Sequence, residues 1–155
     1  MTKISTDDYR VIADNVPIVS VDLLVCHRGG LLLGKRTNEP AAGEWFVPGG
    51  TVLKGESLTE AVGRVSREEI SVDVVVDEQL GTYEHFYDAA ATPGVDSKQY
   101  LATAFVVTPR SGDIVADDQH EQLKVFSPPF PTFHDYVERY VRDFRAAGYR
   151  FGDER

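Results

Sequence analysis

Gly50–Val72, GTVLKGESLTEAVGRVSREEISV, is the stretch on which the fold turns. It opens on the glycine-rich turn Pro48-Gly49-Gly50 and passes into Ser57–Ile70, a run with no proline and a single glycine. Leu58, Ala61, Val62 and Val65 recur there at helical spacing, which predicts an amphipathic helix. Glu56 stands before the helix, Arg64 within it, and Glu68-Glu69 one turn further on. Side chains three and four residues apart share a helix face, so Arg64 faces Glu68 and can orient or neutralise it. Adjacent glutamates beside a loop of main-chain carbonyls suit a hard cation such as Mg²⁺, which takes oxygen ligands and shares them with phosphates. A solvated helix with routine ion pairs would carry the same residue types, so the flanking chain has to decide.

Upstream, STDDYRVIADN reads as a short helix capped by Ser5 or Thr6, with Asp7 and Asp8 in its first turn. VPIVSVDLLVCH and LLLGKRT are apolar strands separated by an Arg28-Gly29-Gly30 turn. NEPAAGEW is a loop, and WFVPGGTV a short strand interrupted at Pro48–Gly50. Downstream, VDVVV and LGTYEHFY are strand segments, followed by a loop around ATPGVDSK, the strand QYLATAFVV and a last short strand LKVF. From Phe133 an amphipathic helix carries Phe133, Tyr136, Val137, Tyr140, Val141 and Phe144 on one stripe, a pattern of core packing rather than of a ligand box. Strands mixed with a few helices imply one layered α/β domain over residues 1–155.

The composition narrows the function. With 16 Lys+Arg against 25 Asp+Glu the net charge is −9, which argues against a general nucleic-acid surface. The few cations then carry more weight, because an anionic substrate needs them. Asp (14) outnumbers Glu (11) and Lys (5) is scarcer than Arg (11), a bias that suits solubility in high salt, so a halophilic source is one expectation and an ordinary acidic protein the other. No apolar run approaches membrane-spanning length, and the first residues are acidic where a signal peptide is basic and then apolar. The one cysteine, Cys26, sits in the apolar run VDLLVC and reads as a buried structural thiol. A cytoplasmic location is expected.

The box resembles the Nudix signature, G-x₅-E-x₇-R-E-U-x-E-E-x-G-U, where U is a bulky apolar residue. Counted from Gly50, residues Glu56, Arg64, Glu68, Glu69 and Val72 are in register. Val65 stands where the signature has the glutamate after its arginine, Ser66 replaces a bulky residue, and Ser71 replaces the glycine. The resemblance implies a Nudix fold, an α/β/α sandwich with a mixed β-sheet. Val65 removes one of three carboxylates from the metal face, leaving Glu68 and Glu69 for a single metal.

A narrower resemblance spans about residues 5 to 126: LLLGKRTNEPAAGEWFVPGG, PIVSVD, EHFYD, Tyr100 and DDQHEQ are similar to GDP-mannose mannosyl hydrolases, a Nudix branch that also lacks the glutamate at position 65. It implies Mg²⁺-dependent cleavage of GDP-mannose, or GDP-glucose, to GDP and free sugar, by water attack at the sugar C1 with inversion; Mn²⁺ could replace Mg²⁺. Such a reaction needs a base on the face opposite the leaving group. His120 matches that base, and its intrinsic pKa suits the role. The Gly49 carbonyl, Glu69 and Gln119 match the metal ligands, with Glu68 either an outer ligand or simply the partner of Arg64. Arg36 matches the contact to the leaving diphosphate, for which a planar multi-donor group is suited, and Asp22 and His85 match residues that hold this arginine. Tyr100 matches a substrate-side hydroxyl donor, and Tyr9 a region that helps bind substrate across a homodimer. Thr51 replaces an arginine that faces the diphosphate in related enzymes, a loss for which Lys54 could compensate. Two other readings stand beside this one: a Nudix pyrophosphatase attacking phosphorus, with Glu56, Glu68 and Glu69 sufficing, and a non-catalytic nucleotide-sugar sensor.

Overall fold

The structure, a computed structural model, describes residues 3–92, 94–111, 114, 120–152 and 154, with only the main chain described at 120 and 121. Strand β1 (Ile18–His27) is buried without a break from Ser20 to Val25. A strand covered on both faces must be central. It pairs in parallel with β6 (Lys98–Pro109) and antiparallel with β2 (Gly30–Arg36). Because side chains alternate along a strand, Val21, Leu23 and Val25 point to one layer and Asp22 and Leu24 to the other. The first layer is closed by helix α2 (Leu58–Ile70) through Ala61, Val62, Val65 and Ile70. The second is closed by α3 (Asp135–Ala146) through Val137, Tyr140, Val141 and Phe144. The result is the α/β/α sandwich with a mixed sheet that the sequence leads one to expect.

The sheet runs β3 (Trp45–Phe46), β2, β1, β6, β5 (Val74–Tyr87), with β4 (Gly49–Thr51) paired to β1 and β7 (His120–Phe126) to β2. Arg28 and Gly29 both take positive φ, 50° and 76°, in the β1–β2 turn; that left-handed pair matches the twist of the strands it joins. Helix α1 (Thr6–Asn15) is capped by Ser5, whose hydroxyl accepts from the Asp8 amide at 3.1 Å. No helix among the described residues is long and apolar enough to cross a membrane.

Three boundaries differ from the sequence reading. VDVVV and LGTYEHFY are one strand, because irregularities between Val76 and Glu78 and between Gln79 and Gly81 absorb the intervening residues. The last helix begins two residues after Phe133, because the His134 side chain accepts from the Tyr136 amide and caps it. Phe133 still packs in the core. The final strand is longer than LKVF: it opens at His120, since main-chain pairing with β2 does not require apolar side chains.

Candidate active site

The box helix is fixed at both ends by local chemistry. Ser57 accepts from the Glu60 amide at 3.1 Å while Glu60 accepts from the Ser57 amide at 2.9 Å, a reciprocal cap. Arg64 then ties the loop to the helix. Its Nε and Nη2 donate to the two oxygens of Glu56 at 2.7 and 3.0 Å, Nη1 to Glu68 at 3.0 Å, and Nη2 also to the Thr51 carbonyl at 2.7 Å. Glu56 in turn accepts from the Leu53 amide at 2.9 Å, and its bonds to Arg64 hold its carboxyl below the usual carboxylate range. Arg64 thus holds the box in shape, and Glu68 is its partner.

The glycines of the turn permit two close approaches. A Cβ on Gly49 would lie 2.3 Å from Asp22 Oδ1, and one on Gly50 would lie 2.9 Å from Val65 Cγ2. Val65 is 1% exposed and belongs to the apolar layer under β1. The position that departs from the signature is therefore a packing position beneath Gly50. Glu69 is also buried, at 8% exposure.

A cavity walled by α1, β1, β2, β4, β5 and β6 is lined by Tyr9, Asp22, Arg36, Gly49, Thr51, His85 and Tyr100. Six of the candidate site residues, from six separate elements, thus share one cavity; Tyr9 reaches it within its own chain. Arg64, Glu68, Glu69 and Lys54 do not line it. Gln119 lies outside the described residues. The main chain of His120 is described, and the β2–β7 register sets its Cα opposite that of Arg36.

Asp22 is held from the α3 side. Tyr140 OH donates to Asp22 Oδ2 at 2.5 Å, and His85 Nδ1 is 4.0 Å from the same oxygen. Burial pushes the Asp22 carboxyl up to about 6, against the opposing bond from Tyr140 and the positive charge of Arg36. Burial pulls His85 down to about 4, helped by the charges of His134 and Arg139. At neutral pH the imidazole is therefore uncharged, and its contact with Asp22 is a dipolar one, not an ion pair. His85 stacks flat on Tyr136, with centroids 4.2 Å apart and planes at 11°. Arg36 Nε donates to the Pro40 carbonyl at 2.7 Å, so the loop after β2 aims the guanidinium. Burial raises the phenols of Tyr87 and Tyr100, which stay protonated donors. Cys26 is half-buried and its thiol is pushed up to about 11, chiefly by burial, as suits a structural thiol.

Sequence reasoning missed Tyr140, Tyr136, Tyr87 and Lys98. A signal existed for the first: a phenol in an apolar helical stripe needs a partner when buried, and Asp22 was the buried carboxylate in want of a donor.

A mixed sheet between helical layers, with a Gly-Gly strand end over an arginine-locked box helix, is the arrangement of a Nudix hydrolase. The chain belongs to the NUDIX domain family, whose sequence model matches residues 16–144. It is 58% identical over 140 residues to the low-salt glycan biosynthesis protein Agl8 of Haloferax volcanii, covering 90% of each chain. It is 31% identical over 130 residues to an ADP-ribose pyrophosphatase of Methanocaldococcus jannaschii, covering 83% of this chain and 73% of that one. Among solved structures, a MutT NUDIX hydrolase from Burkholderia pseudomallei superposes with a TM-score of 0.64 at 26% identity, covering 82% of this chain and 97% of the other.

Proposed function

We propose that the chain hydrolyses a GDP-hexose, GDP-mannose or GDP-glucose, to GDP and free sugar by attack of water at the sugar C1 with inversion. The observation that best supports this reading is the register of β7 on β2, which pairs the Cα of His120 with that of Arg36, and Arg36 lines the cavity that Tyr9 and Tyr100 also line. In the proposed step His120 takes a proton from water as the water oxygen bonds to C1. The C1–O bond breaks, and its electron pair leaves on the diphosphate. Arg36 donates to that diphosphate, and Asp22 provides the counter-charge that keeps the guanidinium in place. Tyr100 and Tyr9 donate to the substrate. The burial of Val65 fits this reading, because the box then offers fewer carboxylates for activating water at phosphorus.

Among the described residues no three His, Cys, Asp or Glu side chains gather as a metal cluster. The donors at hand, the Gly49 carbonyl and the buried Glu69, are hard oxygens short of a full shell. That set would suit one Mg²⁺, or Mn²⁺, whose remaining positions diphosphate oxygens could fill; by the resemblance Gln119 would be a further ligand and Glu68 an outer candidate. When bound, the ion would neutralise charge on the leaving diphosphate.

The likeness to a glycan biosynthesis protein supports a nucleotide-sugar substrate, and its haloarchaeal source supports a halophilic setting. A homodimer and a cytoplasmic location complete the reading. The likeness to an ADP-ribose pyrophosphatase favours a second reading, attack at phosphorus to give GMP and sugar 1-phosphate. Incubation of GDP-mannose with Mg²⁺ in ¹⁸O-water separates the two. GDP with label in the sugar is expected; GMP with label in phosphate rejects the glycosyl transfer.

A further inference from the structure

Lys98, the first residue of β6, is 8% exposed. A buried ammonium is costly unless paired, yet among the described residues no carboxylate forms an ion pair with it. Its Nζ instead lies 3.3 Å from Tyr9 OH and 4.7 Å from the Tyr9 ring centroid. An ammonium has no lone pair, so in this contact the phenol oxygen must accept. A phenol has one O–H and two acceptor sites. With one acceptor site of Tyr9 taken by the Lys98 ammonium, its own O–H must point away from the lysine, and Tyr9 lines the cavity.

We propose that Lys98 is a positioning residue: it locks the Tyr9 hydroxyl as a hydrogen-bond donor directed into the cavity, toward an oxygen of the substrate that can only accept. The proposal rests on the cavity being the nucleotide-sugar site. It also explains why a cation is buried behind a tyrosine instead of facing the substrate. A lysine facing the diphosphate would add charge and little direction, whereas the Lys98–Tyr9 pair converts that charge into an oriented neutral donor. Arg36 supplies the charge at the diphosphate, and Tyr9 selects by geometry.

The test combines nucleotide binding with a signal from the ligand-free protein. Lys98→Met, Lys98→Gln, Tyr9→Phe and the Lys98→Met/Tyr9→Phe double variant are titrated with GDP and with GDP-mannose in Mg²⁺, and kcat and KM are measured. Lys98→Met is expected to raise Kd and KM by about five- to tenfold, the worth of one hydrogen bond, with kcat little changed. The double variant should be no weaker than Tyr9→Phe alone, and Lys98→Gln, which keeps a donor, should recover most of the loss. A loss seen with GDP places the accepting oxygen on the diphosphate, and one confined to GDP-mannose places it on the sugar. In protein carrying ¹³Cζ-tyrosine without ligand, the Tyr9 signal should shift on Lys98→Met. An unmoved Tyr9 signal, or losses that add in the double variant, overturns the proposal. Wild-type protein that binds neither nucleotide rejects the nucleotide-sugar reading instead, and the Tyr9 signal still decides the lysine contact.

Discussion

Burial acts on Asp22 and His85 in opposite senses, raising the acid from 3.8 to about 6 and lowering the base from 6.5 to about 4. Each shift is a statement about stability. The contribution of Asp22 is fully present below 3.8 and lost as pH rises through about 6, because the folded chain holds that proton more tightly. The contribution of His85 is present above 6.5 and lost as pH falls through about 4, because the unfolded chain takes that proton first. Between about 4 and 6 the two oppose each other. Asp22→Asn leaves His85 acting alone, so melting temperatures measured from pH 7 to 4 should fall more steeply in the variant than in the wild type. Parallel curves would show that the two groups do not differ between folded and unfolded chains as their burial demands. Asp22 could be picked out in the sequence as an anomaly in an apolar strand. Its partner could not, since Tyr140 lies 118 residues away and only packing of α3 on β1 brings them together.

At the scale of elements, α2 ends on Ser71 at φ 63°, ψ 24°, in the left-handed region. The Nudix signature has glycine there, and the structure gives the reason: a Cβ in that conformation costs about 1–2 kcal/mol, of which glycine's extra freedom in the unfolded chain returns roughly half. Ser71→Gly should therefore stabilise the protein by about 0.5–1 kcal/mol, read as a higher denaturation midpoint at unchanged slope. The helices and most strands were legible because they rest on local periodicity and caps. Ser5, Ser57 and the stripe from Val137 to Phe144 all stand in the sequence. Strand ends were less so, because β7 exists through pairing with β2, and a pairing leaves no mark on His120-Glu121-Gln122. Several residues named from the family pattern line the cavity, whereas those packed against them, Tyr136 on His85 and Lys98 on Tyr9, could not be picked out from the sequence. Their roles depend on which faces of distant elements meet. Val65 shows the converse, since its departure from the signature was plain but its packing under Gly50 was not.

For the whole molecule, a net charge of −9 on 155 residues means that the folded state gathers like charges that the unfolded chain can separate. Salt screens that repulsion between charges farther apart than a Debye length, about 8–10 Å at ordinary ionic strength and about 3 Å at molar salt. The apolar layers packed against α2 and α3 are little affected by screening, so the electrostatic part of the stability can be read by itself. Melting temperature at neutral pH should rise as KCl goes from 0.1 to 2 M, by an amount larger than uncharged osmolyte at equal osmolality produces. The same titration near the sequence pI of about 4.8 should give a smaller rise, because the net charge to be screened has gone. Equal salt responses at the two pH values would assign the effect to salt exclusion from the surface and not to charge. Under the proposed function, binding should respond in the other direction: Arg36, which lines the cavity of an acidic protein, would meet a diphosphate there, and molar salt would weaken that attraction along with the repulsion around it. KM for GDP-mannose should then rise with KCl while stability improves, so that the two curves cross and set a salt range in which the protein is both folded and able to hold its substrate.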